Sequence, residues 1–139
     1  MYHKKTSILL LSSSLILALA TTSIADAAPK KDRDAERVRA RRAATGKVIK
    51  DKVGQGDLRD WRFVEVGKSA TLEVLVDFKP LETKIELVVT DASGKVLIKE
   101  LKGRGVRKVS LEVTPGIYYV MVEAKQSPRT EYQITLKVK

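Results

Sequence analysis

From residue 47 to the end of the chain, hydrophobic and polar residues alternate with a period of two. Leu72, Val74, Val76 and Phe78 alternate with mostly polar neighbours, and the runs at residues 60–66, 85–90, 109–113, 118–123 and 132–138 do the same. This period is typical of β-strands with one packed face and one wet face. No window of comparable length has a helical period, so the pattern predicts antiparallel sheets.

Turn-forming residues separate these runs where strands have to end. Asp91-Ala92-Ser93-Gly94 is typical of a tight hairpin turn, and Pro80 lacks the N–H that a ladder needs. Two more strands, at residues 47–53 and 96–101, bring the total to about eight, spaced about 8–12 residues apart. We therefore predict an all-β fold, an antiparallel, jelly-roll-like β-sandwich; a small barrel is the alternative.

The first residues have the pattern of a signal peptide. Lys4 and Lys5 precede an apolar run at residues 8–20, and Ala25-Asp26-Ala27 offers a small-x-small cleavage site. The run is about 13 residues long, short of the roughly 20 needed to span a bilayer. We predict a signal peptide at 1–27, a mature chain that begins at Ala28, no transmembrane anchor after cleavage, and a periplasmic or secreted protein.

Residues 28–46 differ in composition from the rest of the chain. Val38 is their only large apolar residue, so the segment cannot bury enough surface to fold alone. Its cations outnumber its three acids, and they are Lys30, Lys31, Arg33, Arg37, Arg39, Arg41 and Arg42. We predict a flexible basic linker at 28–46 and a β-sandwich domain at 47–139.

Three sequence blocks resemble the bacterial pre-peptidase C-terminal domain, a small β-sandwich often appended to secreted peptidases. They are DWRFVEVG at 60–67, LVVTDASG at 87–94, and PGIYYVMV at 115–122 followed by YQITL at 132–136. The resemblance covers residues 57–138 and implies this fold, an exported setting and an accessory role. The chain departs from the family pattern at Arg62, where an apolar residue is common, and it has no match to the acidic calcium ligands of some relatives.

The mature sequence lacks the residues of common catalytic centres. Its only histidine, His3, lies in the predicted signal peptide, and the chain has no cysteine. Ser-His-Asp and Cys-His nucleophiles and the usual zinc sites are therefore excluded. Asp57 and Asp60 are too few acids for a calcium cage. We predict no catalytic residues, no metal and no cofactor.

Charge is the most ligand-like property of the sequence. The formal charge is +10, and removing Lys4, Lys5 and Asp26 with the signal peptide lowers it to +9. The basic segment predicts attraction to an anionic polysaccharide, an anionic lipid or an acidic protein, and a solvated linker is the alternative. A second basic cluster comprises Arg104, Arg107 and Lys108. Nucleic acid is not expected, because the chain has few aromatic residues and no helix suited to reading bases.

Aromatic residues provide a second set of candidate contacts. Trp61 and Phe63 lie on one face of their strand, and the core is the favoured location for them, with an exposed patch as the alternative. Tyr118 and Tyr119 point to opposite faces, so we expect Tyr118 in the core and Tyr119 at the surface. Trp61 and Tyr119 are therefore the candidate aromatic contacts.

Together these features predict an exported, non-catalytic accessory or binding module that attaches to anionic envelope or extracellular surfaces. The alternative is a structural or chaperone-like envelope protein that pairs with a protein partner through a sheet edge.

Overall fold

The strands of the structure follow the alternating runs of the sequence. A computed structural model describes residues 34–79, 84–100, 106–125 and 129–139. A short 3₁₀ helix (Arg37–Arg39) precedes a two-residue strand. The strands are β1 (Arg41–Arg42), β2 (Val48–Val53), β3 (Arg59–Val66), β4 (Ala70–Lys79), β5 (Ile85–Thr90), β6 (Val96–Glu100), β7 (Val106–Val113), β8 (Gly116–Ala124) and β9 (Thr130–Val138).

Two sheets form the fold. One has five strands in the order β1-β3-β8-β5-β6, and the other has four in the order β2-β9-β4-β7. Neighbouring strands are antiparallel except for β1, which runs parallel to β3. The chain crosses between the sheets at nearly every connection, as in a jelly roll. The predicted all-β antiparallel sandwich is confirmed. Within the described residues, no helix is long and apolar enough to cross a membrane.

The core lies between the two sheets and contains the predicted apolar phase of most strands. Leu72, Val74 and Val76 on β4 are fully buried, and Leu87 on β5 and Val120 on β8 face them from the other sheet. The largest buried side chains are Tyr132 and Phe78. These residues stabilise the sandwich by removing apolar surface from water.

In strand β3, the residues that face the core are the opposite set from the one that the sequence favours. Its inward face carries Asp60, Arg62 and Val64, while Trp61 and Phe63 lie half-buried on the outer face. The predicted core location of the two aromatic residues is therefore wrong. Alternation alone allows either phase, and polar partners inside the sandwich select the one that buries Asp60 and Arg62.

Residues 34–46, here named the strap, pack against the domain. The N–H of Ala43 donates to Phe63 O at 2.8 Å, and the N–H of Trp61 donates to Asp34 O at 3.0 Å. Ala43 is buried, and Gly46 N–H donates to Leu136 O at 2.7 Å. This corrects the prediction of a flexible linker for 34–46, because hydrogen bonds and ion pairs attach the segment without an apolar stripe. The predicted signal peptide, its cleavage site and residues 28–33 lie outside the described residues.

Candidate functional site

The outer face of the four-stranded sheet carries rows of polar side chains that cross three strands. Lys52 on β2 pairs with Glu131 on β9, which pairs with Lys79 on β4. In the next row, Gln133 lies between Lys50 and Asp77. These positions point outward because the inward phase of each strand is filled by the core.

The six residues of these two rows contribute to the lining of a groove of about 610 Å³. Arg129, just before β9, adds a further cation to its lining, which also includes the buried Tyr132 and Phe78. The complete lining is Lys50, Asp51, Lys52, Asp77, Phe78, Lys79, Arg129, Glu131, Tyr132 and Gln133. This groove is named the basic groove below.

The ion pairs of the basic groove leave several charges uncompensated. Lys52 Nζ lies 2.7 Å from Glu131 Oε1, and this hydrogen bond lowers the pKa of Glu131, so its carboxylate is ionised at neutral pH. Among the described residues, Lys50, Lys79 and Arg129 form no ion pair. The groove therefore offers a positive lining together with carboxylate and amide groups that can accept hydrogen bonds.

Arg37 of the strap is held on the opposite sheet. Its guanidinium lies 5.2 Å from the centre of the Tyr119 ring, within the range of a cation–π interaction. Nη1 of Arg37 also donates to the backbone oxygens of Ala92 at 3.0 Å and Asp91 at 3.3 Å. Arg37 thus joins the strap to the β5–β6 turn.

The other described arginines of the strap are paired with acids of the same chain. Arg42 Nη2 lies 3.0 Å from Glu65 Oε2, and Arg39 Nε lies 3.8 Å from Glu36 Oε2. Arg41 Nε donates to Asp34 at 2.6 Å, and its Nη2 lies 2.7 Å from Asp51 Oδ2. These pairs compensate three of the seven cations of the basic segment that the sequence analysis assigned to surface attraction. Lys30, Lys31 and Arg33 lie outside the described residues.

The second predicted basic cluster is split by the pleat of β7. Arg107 is buried and faces the core, 5.6 Å from the centre of the Phe78 ring and 3.9 Å from Glu100. Burial lowers the pKa of Arg107, an effect that Glu100 opposes. Lys108 points outward, 3.7 Å from Glu73. A buried guanidinium cannot contact an external surface, so the prediction for Arg107 is corrected; Arg104 lies outside the described residues.

The structure brings the two predicted aromatic contacts onto one face. Trp61 pairs with Met121 across β3 and β8, and Phe63 pairs with Tyr119 in the adjacent row. The rings of Phe63 and Tyr119 are 6.1 Å apart and tilted by 46°. Trp61 and Tyr119 are both half-buried, and Arg37 lies over Tyr119. This aromatic face is partly occupied by the chain's own strap.

A polar cluster is buried between the sheets, and two of its members, Tyr132 and Asp51, also line the basic groove. The Tyr132 hydroxyl donates to Asp60 Oδ2, and Arg62 Nη2 donates to Asp51 Oδ2. Burial raises the pKa of Asp60 to about 7; the charges of nearby carboxylates, including Asp34, add to the rise, and the hydrogen bond from Tyr132 opposes it. Burial also raises the pKa of Tyr132, so its hydroxyl keeps its proton.

This cluster fixes β2, β3 and β9 to one another and provides a group that titrates near neutrality. Asp60, which the sequence analysis considered only as one of two acids too few for a calcium cage, is therefore held inside the sandwich. No group of three or more His, Cys, Asp or Glu side chains in the described part of the chain could hold a metal ion.

Sequence reasoning missed the basic groove because its residues come from three distant segments. Lys50, Lys79 and Arg129 line one groove only because β9 lies between β2 and β4 in the sheet. The available signal was the outward phase of each strand, which carries lysines at residues 50, 52 and 79. Without the strand order, these lysines had no common location.

The two sheets form a small β-sandwich whose fold is like that of a pre-peptidase C-terminal domain. Its structure is similar to the pre-peptidase C-terminal domain of a collagenase from Bacillus anthracis, with a TM-score of 0.64, 18% identity, and coverage of 70% of this chain and 94% of that chain. This confirms the predicted likeness of fold. The periplasmic g-type lysozyme inhibitor PliG from Aeromonas hydrophila is also similar, with a TM-score of 0.46, 9% identity, and coverage of 70% and 96%. No family model and no curated protein sequence matches the chain.

Proposed function

We propose that this protein is an exported, non-catalytic binding module that attaches to anionic polymers or surfaces outside the cytoplasm. The observation that carries the proposal is the set of uncompensated cations in the basic groove, Lys50, Lys79 and Arg129. Charges that already have a partner contribute little to attracting a ligand, whereas uncompensated charges raise its local concentration.

The whole outer face of the four-stranded sheet supports this proposal. Cations outnumber acids there by three: Lys50, Lys52, Lys79, Lys108, Arg129, Lys137 and Lys139 against Glu73, Asp77, Glu112 and Glu131. The described arginines of the strap, by contrast, are mostly paired with carboxylates. The binding surface is therefore the sandwich face rather than the strap.

The sequence supports the exported and non-catalytic parts of the proposal. The pattern of residues 1–27 predicts export, to the periplasm or the medium, and the rest of the chain contains neither histidine nor cysteine. An accessory role is also what the resemblance to the pre-peptidase C-terminal domain implies. Carboxylates held in ion pairs, and cations spread over the outer face of a sheet, suit the binding of a ligand better than the cleavage of a bond.

Retention of the mature protein on heparin and on anionic vesicles, measured over a salt series, tests the proposal. Retention should fall steeply towards physiological salt, where the Debye length is about 8 Å. The triple variant Lys50→Gln, Lys79→Gln and Arg129→Gln should elute at much lower salt. A control with the same charge change elsewhere, Lys68→Gln, Lys84→Gln and Lys95→Gln, should elute close to the original protein. Equal losses in both triples would show that only net charge matters.

Exposed apolar residues on the edge strand β6 favour the second candidate, a protein that pairs with a partner through a sheet edge. Val96 is 52% exposed and Leu97 is 37% exposed. However, β6 is short and carries Lys99 and Glu100, features that protect edges from pairing. If edge pairing is the function, Val96→Lys should abolish capture of an envelope partner, and the triple variant of the groove should not.

A further inference from the structure

We infer that the basic groove binds a segment of an acidic polysaccharide, a chain of sugars that carry carboxylates as well as free hydroxyl groups. This inference rests on the proposed function and narrows it to one class of ligand. The shape of the groove, the mixture of its polar groups and the spacing of its cations support it.

The shape of the groove suits one polymer strand. Its volume of about 610 Å³ falls within the range of about 300–1,000 Å³ that is typical of sites for small ligands. The surface is concave, and charged and amide side chains of three strands line it. A flat bilayer contacts a concave surface poorly, whereas a single chain of sugars can lie along it.

The polar groups of the groove match a ligand that is both anionic and rich in hydroxyls. Lys50, Lys79 and Arg129 can each donate to a carboxylate, and a guanidinium can do so with two hydrogen bonds. Asp77 and Gln133 lie among these cations, and Asp77 forms no ion pair with another described residue. The Asp77 carboxylate repels any anionic polymer, but it can accept hydrogen bonds from sugar hydroxyls, which inorganic polyphosphate lacks.

The cations are spread along the groove and do not converge on one point. Lys52 and Lys79 lie on either side of β9, and because neighbouring strands are about 4.8 Å apart, their backbones are separated by about 10 Å. Lys50 is two residues further along β2, a distance of about 7 Å. Spaced charges fit the repeated carboxylates of a polymer better than a single anion. The aliphatic parts of the lysines also offer apolar contact to sugar rings.

Titration of the mature protein with hexagalacturonate, followed by calorimetry, tests this inference. Maltohexaose provides the uncharged control, and inorganic polyphosphate and phosphatidylglycerol vesicles provide anions without sugar hydroxyls. We expect binding of hexagalacturonate that is tighter than that of polyphosphate or vesicles, and no binding of maltohexaose.

Two double variants with the same charge change locate the site. Lys50→Gln with Lys79→Gln should weaken hexagalacturonate binding about 10-fold to 100-fold, because charged hydrogen bonds are lost. Lys108→Gln with Lys137→Gln, on the same sheet face but outside the groove, should change it by less than about 3-fold, as expected for exposed charges. Equal losses in the two variants would overturn the inference, because they would show attraction by net charge alone. Unchanged melting temperatures would show that both variants fold.

The variant Asp77→Asn tests the part of the inference that concerns hydroxyl groups. Removing this carboxylate should strengthen the binding of polyphosphate, and it should either weaken the binding of hexagalacturonate or leave it unchanged. The ratio of the affinity for hexagalacturonate to the affinity for polyphosphate should therefore decrease. If salt-sensitive retention persists but polyphosphate or vesicles bind as well as hexagalacturonate, the inference fails and the proposed function stands. If no anionic probe is retained at low salt, both fail.

Discussion

Arg62 on β3 donates a hydrogen bond from Nη2 to Asp51 Oδ2 on β2, and this contact joins the two sheets along one edge of the sandwich. Arg62 is 4% exposed, so its charge depends on this partner. At the opposite edge, Arg107 on β7 lies 3.9 Å from Glu100 on β6, which again connects the two sheets. A buried arginine and a carboxylate therefore lie at each open side of the fold.

Breaking the first of these pairs should destabilise the protein. We expect Arg62→Met to lower the free energy of unfolding by about 1–3 kcal/mol, because Asp51, which is 27% exposed, loses one of its two arginines and keeps only Arg41. Removing both charges, with Arg62→Met and Asp51→Leu, should cost less than the single change. Urea denaturation of the three proteins measures this. A double variant that is less stable than Arg62→Met would contradict the assignment.

The buried carboxylate of Asp60 should make stability depend on pH near neutrality. The pKa of Asp60 rises from its ordinary value of 3.8 to about 7, so the folded state keeps this proton to higher pH than the unfolded chain. The stability that the proton contributes is complete below about pH 4 and is lost as the pH rises through about 7.

In the matched variant Asp60→Asn, an amide that does not titrate replaces the carboxyl group. Its oxygen can still accept a hydrogen bond from the Tyr132 hydroxyl. Between about pH 4 and pH 7 the original protein should lose up to about 1.4 kcal/mol per pH unit relative to the variant. The melting temperatures of both proteins over this range measure the difference. Parallel curves would show that Asp60 does not titrate there, and the lack of histidine outside residue 3 makes the comparison simple.

The contact between Arg37 and the β5–β6 turn depends on glycine at position 94. Gly94 has a φ of +93°, and a Cβ there would lie 3.0 Å from Arg37 Nη1. Gly94→Ala should cost about 1–2 kcal/mol of stability, chiefly from the left-handed backbone, since the arginine tip can shift. Chemical denaturation measures the loss.

Gly67→Ala is the control for this change, because Gly67 has no neighbouring atom within 4 Å and no left-handed φ. It should alter stability by about 0.5 kcal/mol or less. In an Arg37→Ala background the cost of Gly94→Ala should persist with only a small decrease. If Gly94→Ala no longer lowers stability in that background, the loss in the original protein comes from collision with the arginine and not from backbone strain.

Removing the strap should destabilise the sandwich. A chain that begins at residue 47 loses Ala43 from the core, the hydrogen bonds to Trp61 and Phe63, and the contact of Arg41 with Asp51. We expect a melting temperature lower by about 5–15 °C, the shift that a loss of about 1–2 kcal/mol produces in a small domain. A chain that begins at residue 34 keeps the strap and is the control. Equal melting temperatures for the two chains would show that the strap contributes nothing to stability.

Alternation along the sequence was sufficient to predict the eight long strands and most of the core. Residues such as Leu72, Val74 and Leu87 have a single favourable environment, so their phase determines which face is buried. The turn at residues 91–94 was also predictable, because Asp91 caps it through hydrogen bonds to the N–H groups of Ser93 and Lys95. The resemblance to the pre-peptidase C-terminal domain identified the same fold.

Only the tertiary structure decided the phase of β3, the position of the strap and the existence of the basic groove. In β3 both phases carry large side chains, and the partners Tyr132 and Asp51, supplied by other strands, select the one that buries Asp60 and Arg62. The strap is attached by ion pairs with acids distant in sequence, which its own composition does not reveal. Lys50 and Lys79 line the same groove only through the order of strands in the sheet. The period of a strand is a local property of the chain, whereas charge pairing and the shape of a groove depend on which distant residues folding brings together.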